Sequence, residues 1–122
     1  MIQVQLARAA AIAAVLWFGA VFGFFCAWVC STMWGLDAID PRTAIAAMNG
    51  MNESVRNPVF FTAFFLAPVV GAAAAVLSWV TGKGTSAFLL GFAVVLYVFG
   101  VIVFTRVLNV PLNEGLAAGG VP

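Results

Sequence analysis

The sequence predicts an all-α integral membrane bundle, with three transmembrane helices and a short amphipathic helix lying in the interface. Three observations predict it. Of 122 residues, 65% are hydrophobic and only 7% are charged, against roughly 25% charged in an average soluble domain. The mean hydropathy is +1.15. The few charges leave three uncharged runs, from Arg8 to Asp37, from Arg56 to Lys83 and from Lys83 to Arg106. Each run exceeds the roughly 20 residues that cross a hydrocarbon core. The length fits one domain, residues 1–122.

The spans are expected at about Ala9–Trp34, Val59–Val80 and Ser86–Thr105. The first is long enough to tilt or to project beyond the bilayer. It follows Arg8 and runs uncharged to Asp37. That is too long for a secretory signal core, and no small-x-small cleavage site follows, so it reads as a retained helix. Between the first two spans, Asp40-Pro41 is a helix-start signal, with Asp as N-cap and Pro at the first helical position. Ile45, Met48, Met51 and Val55 then recur at helical spacing, while Arg42, Asn49, Asn52, Glu53 and Arg56 fall largely elsewhere on the wheel. The segment 41–56 therefore reads as an amphipathic interfacial helix. Asn57-Pro58 ends it and starts the second span.

Each span carries a small-residue seam: Gly19, Gly23, Cys26 and Cys30; then Ala63, Ala67, Gly71 and Ala75; then Ala87, Gly91 and Gly100. Small residues let membrane helices approach closely, so three seams predict a bundle. Pro68 is expected to kink the second span. Trp17, Phe18, Phe22, Phe24, Phe25, Trp28 and Trp34 crowd the first. Two readings stand for them: lipid-facing bulk with Trp at the interfaces, or an aromatic wall for a planar apolar ligand.

The composition narrows the chemistry. The net charge is +1 and there is no His. Five scattered cations cannot neutralise a run of phosphates, so no nucleic-acid partner is expected. The commonest metal ligand and acid–base group near neutral pH is missing. Cys26 and Cys30 sit four apart inside an apolar run. They read as small hydrophobes, with no further soft ligand except Met to make a metal site. The polar groups concentrate at the start of the second span, through Asn52, Glu53, Arg56 and Asn57, and after the third, through Arg106, Asn109 and Asn113. A span's start and the next span's end lie on one membrane face, so these segments are expected to meet as a polar cap. The competing reading is structural. Asn57 caps a helix, Asn109 and Asn113 cap backbone groups around Pro111, and Arg106 and Lys83 snorkel to headgroups.

Met48, Asn52, Asn57, Pro58 and Phe60, followed later by Asn109-Val-Pro-Leu-Asn113, resemble the anthrone-oxygenase-like family. These are small multi-pass membrane proteins long catalogued as a domain of unknown function. The resemblance runs from Gly19 to about Leu116. It implies a fourth membrane helix after Asn113, supplied beyond the sequence given or by a neighbour. It also implies oxidation of anthrones to anthraquinones by molecular oxygen in some members. On that reading Asn57, Asn109 and Asn113 donate to a developing oxyanion, Arg106 adds charge, Glu53 takes the proton, and no metal or organic cofactor is required. The alternative is a non-enzymatic accessory subunit that its seams dock in a larger membrane complex. The expected setting is multi-pass in a bacterial cytoplasmic membrane. The expected partners are the lipid bilayer, further copies or other membrane subunits, and an aromatic small molecule.

Overall fold

The computed structural model describes residues 1–119. It is all helical, in four elements: α1 (Ile2–Asp37), α2 (Pro41–Ser54), α3 (Pro58–Val80) and α4 (Gly84–Gly119). The first, third and fourth are long and apolar enough to cross a membrane. The fourth span implied by the family resemblance lies outside the described residues.

Local chemistry sets the helix ends. At α2, the Asp40 carboxylate accepts from the Thr43 backbone N–H at 3.1 Å and from its hydroxyl at 3.2 Å, with Pro41 at the first helical position. The α3–α4 turn is a Schellman motif. Gly82 takes φ +77 and donates to the Trp79 carbonyl, and Lys83 N–H reaches the Ser78 carbonyl at 2.8 Å. The left-handed backbone there suits glycine. The Thr81 hydroxyl donates to the Leu77 carbonyl at 2.8 Å, which also accepts the Thr81 backbone N–H at 3.2 Å.

Two of the long helices run further than their hydropathy implies. α1 begins at Ile2 and ends at Asp37, not 9–34, and α4 continues to Gly119 instead of stopping at Thr105. Arg8 and Arg106 lie within helices because a charge ends a hydrophobic run without breaking backbone hydrogen bonds. Pro111 does not stop α4 either. A π-helical turn, Thr105–Asn109, ends two residues before it, and this wider turn absorbs a missing donor and a bulky ring. Further π turns occur at Trp28–Thr32 in α1 and Val98–Val103 in α4.

The helices pack antiparallel, with α3 central. Along α1, Phe18 meets Gly71 and Phe24 meets Phe60. Along α4, Val94 meets Gly71 and Tyr97 meets Phe64. α1 and α4 each pack on α3 and not broadly on one another. On α3 the buried residues are Phe64, Ala67, Gly71, Ala74 and Ser78, alternating three and four apart. On α1 they are Ala7, Ala14 and Val21, seven apart. Both spacings are those of left-handed knobs-into-holes packing.

The seams behave unequally. On α3, Ala67 and Gly71 are buried. Gly71 is the tightest point, because a Cβ there would meet the Phe18 ring and the Val94 methyl at 2.8 Å. On α1 the expected seam faces outward: Cys26 and Cys30 are exposed thiols, and Gly19 and Gly23 have open space beyond them. The rings of Trp17, Phe18 and Phe25 fill that interface instead. On α4, Ala87 is buried, while Gly91 and Gly100 face open space.

The centre of the bundle is organised by Pro68. Lacking an N–H, it leaves the Phe64 carbonyl, four residues earlier, without its helical partner. The Tyr97 hydroxyl donates to that carbonyl at 2.8 Å, and the Trp17 indole N–H donates to the adjacent Ala63 carbonyl at 2.9 Å. Tyr97 and Phe64 are 6% and 4% exposed, so no solvent replaces the bond between them.

This packing sets the stability of variants. Tyr97→Phe should cost about 1–2 kcal/mol by orphaning a buried carbonyl. Pro68→Ala should recover most of that loss in the double variant, by restoring the helical donor. Unfolding midpoints in detergent check both. Gly71→Ala should lower the midpoint markedly, whereas Gly23→Ala should leave it unchanged.

Candidate functional site

One end of the bundle opens into a cavity of about 740 Å³ walled by all four helices. α1 contributes Phe24, Phe25 and Trp28, and α3 contributes Phe60 and Phe64. The rings pack on one another: Phe60 and Phe64 stack at 5.2 Å, and Phe24 lies 5.0 Å from Phe60. This lining separates the two readings of the aromatic residues on α1. Trp34 is exposed on the outside and Phe22, also exposed, lies away from this cavity, whereas Phe24, Phe25 and Trp28 form a wall of it. Trp17 belongs to neither group, because its ring points into the bundle to bond Ala63.

The polar lining comes mainly from α4. Thr105, Arg106, Asn109, Asn113 and Glu114 face the same space. Arg106, Asn109 and Asn113 are spaced three and then four apart, and the helix, which runs on through the π turn without ending, presents all three to this space. That explains why Asn109 and Asn113 do not cap a helix end: the helix does not end there. The π turn shifts the register between Tyr97, which faces α3, and the polar residues that face the cavity. Asn52, from α2, and Arg56, from the α2–α3 link, complete the polar set.

The structure therefore brings together three of the five sequence-predicted site residues, Arg106, Asn109 and Asn113. It does not bring Asn57 or Glu53 to them. The Asn57 amide is committed at both ends: its Oδ1 accepts from Phe60 N–H at 3.0 Å, and its Nδ2 donates to the Ser54 carbonyl at 2.7 Å. It is the N-cap of α3. Glu53 is exposed and does not line the cavity. The acid that does is Glu114. Sequence reasoning misses Glu114 because hydropathy ends the helix before it. The signal that finds it is the periodicity of Arg106, Asn109 and Asn113, continued past Pro111. No group of three or more His, Cys, Asp and Glu suited to a metal ion occurs among the described residues.

A second, apolar cavity of about 490 Å³ lies between α1 and α4, lined by Phe18, Phe22, Leu96 and Phe104 among others. It shares Phe25, Thr105 and Asn109 with the larger one.

The family model for anthrone oxygenase matches residues 59–122, more than half of the chain. The chain belongs to the anthrone oxygenase family. No curated protein and no solved structure matches it. The family match contains all of α3 after Pro58 and all of α4, hence Arg106, Asn109, Asn113 and Glu114. The elements that bring Asn52 and Arg56 to the same cavity lie before it.

The capping geometry yields a prediction. Asn57→Ala should lower stability by about 1 kcal/mol, and Asn57→Asp should retain most of it, since a carboxylate still accepts from Phe60 N–H. Thermal unfolding in detergent measures both.

Proposed function

We propose that the larger cavity binds a planar, lipophilic anthrone and promotes its oxidation by molecular oxygen. The observation that carries this reading is the meeting of stacked aromatic walls with Arg106, Asn109, Asn113 and Glu114, in a chain of this family. A fused aromatic ligand matches rings at stacking distance. A lipophilic ligand also reaches such a site from the bilayer.

The chemistry asked of the protein is modest. An anthrone carries an acidic CH2 opposite its carbonyl, because loss of a proton there gives an aromatic enolate. The Glu114 carboxylate accepts that proton. The enolate oxygen lies against the Arg106 guanidinium and the amide N–H groups of Asn109 and Asn113, whose dipoles favour the developing charge in a water-poor space. The electron-rich carbon then forms a bond to one atom of O2. Loss of the remaining hydrogen from that carbon, with cleavage of the O–O bond, leaves a carbonyl and releases water. Overall, anthrone and O2 become anthraquinone and water: the CH2 carbon is oxidised by four electrons and both oxygen atoms are reduced.

An accessory-subunit reading is favoured by one separate observation, the outward-facing Gly19, Gly23, Cys26 and Cys30 face of α1. Small exposed residues suit close approach by another membrane helix. The two readings make opposite demands. Under the oxygenase reading, Arg106→Gln, Asn109→Ala and Glu114→Gln each slow anthrone-dependent O2 uptake by about tenfold or more. Lys83→Gln, in the turn at the far end of the bundle, leaves the rate unchanged. Under the accessory reading no uptake above background occurs, and Gly23→Leu dissociates the protein from its partner. Oxygen-electrode measurements on purified protein with anthrone, beside size analysis of the Gly23→Leu variant, decide between them.

A further inference from the structure

Asn52 stands out among the cavity residues because its amide is unfinished. It lines the larger cavity from α2, and its Nδ2 is buried with no hydrogen-bond partner. Buried amide donors are nearly always paired, because an unpaired one forfeits its bonds to water and gains nothing. The other amide at this end of α2 is fully used, since Asn57 bonds Ser54 and Phe60. α2 is tied down on both sides, by the Asp40 cap at its start and the Asn57 cap just after its end. The helix that carries Asn52 is thus fixed against the cavity at both ends. One turn earlier, the Asn49 Oδ1 is likewise buried and unpartnered, but Asn49 does not line the cavity.

We propose that Asn52 is a positioning residue that donates from its Nδ2 to a second oxygen of the ligand, the one that oxygenation installs. This rests on the oxygenase reading above. On that reading the ligand's first oxygen lies against Arg106, Asn109 and Asn113 on α4. The new oxygen forms across the central ring from the first, at the carbon that Glu114 deprotonates; a carboxylate only accepts, so that oxygen needs a donor from another wall. Asn52 comes from α2 and has a free donor. Arg56, beside it on the cavity lining, supplies the positive charge that a partly reduced oxygen species would favour. The ligand class that satisfies both walls is a planar aromatic with acceptor oxygens on opposite edges. An anthrone has one such oxygen and an anthraquinone has two.

The test is equilibrium binding of anthrone and of anthraquinone, without oxygen, to the purified protein and its variants. Asn52→Leu should weaken anthraquinone about tenfold, the scale of one buried hydrogen bond, and leave anthrone within about twofold. Asn52→Asp removes the donor at nearly constant shape and should act in the same direction. The unfolding midpoint of Asn52→Leu should be unchanged or raised, because an orphan donor has been removed. Equal weakening of both probes, or no weakening of either, overturns the assignment. So does a lowered midpoint, which would show Asn52 paired within the protein, with Asn49 as the adjacent acceptor. If Arg106→Gln weakens both probes while Asn52→Leu weakens neither, only the Asn52 assignment falls. If the unaltered protein binds neither probe, the oxygenase reading falls and takes this one with it.

Discussion

The bundle depends on how it closes the gap that Pro68 opens in its central helix. In a hydrocarbon setting a backbone carbonyl without a donor has no water to turn to. Pro68 creates such a carbonyl at Phe64, and Tyr97 of α4 answers it, while Trp17 of α1 donates to the adjacent Ala63 carbonyl. Two adjacent carbonyls of α3 thereby fix the rotation and depth of α4 and α1 at the same level. Gly71 lies two turns along α3 from Phe64 and lets the Phe18 ring and the Val94 side chain in on opposite sides. A directional pair of hydrogen bonds and a steric gap together set an arrangement that nonspecific apolar contact would leave loose.

The cavity follows from that arrangement. With α1 and α4 both held on α3, and not broadly on each other, the space between them opens toward one end. The same aromatic cluster that seals the hub, Phe25, Phe60 and Phe64, continues as the wall of the cavity. The π turns matter here because each adds a residue to a turn and rotates everything beyond it. Below the π turns, α4 presents Tyr97 to α3. Along the second of them and beyond it, the helix presents Arg106, Asn109, Asn113 and Glu114 to the opening. Without that change of register one helix could not serve both the apolar hub and the polar site.

Much of the fold is legible in the residues alone. Long uncharged runs translate directly into helices, because a chain in hydrocarbon must bond its own backbone. Asp40-Pro41 and Asn57-Pro58 mark helix starts because a capping side chain and a proline act on their immediate neighbours. Asn109 and Asn113 are recognisable as a pair by spacing. The end of α4 is not legible, since Pro111 and Arg106 both suggest a stop, and the π turn that lets the helix pass is not encoded in any local motif. The outward face of α1 is not legible either. A glycine seam and an aromatic seam compete there for the same interface, and the rings, with more surface to bury, take it.

By itself, the sequence determined that this chain is an all-helical protein with three helices able to cross a membrane, where helices α2 and α3 begin, and which few polar residues were available for chemistry. Each of those is a property of a run or of near neighbours. Only the tertiary structure decided that Asn57 is spent on a cap while Asn52 is not, that Glu114 rather than Glu53 faces the cavity, and that Pro68 is answered by Tyr97. Those outcomes turn on which side chains converge from helices far apart in the chain. Spacing within one helix fixes which residues share a face, but not what that face will meet.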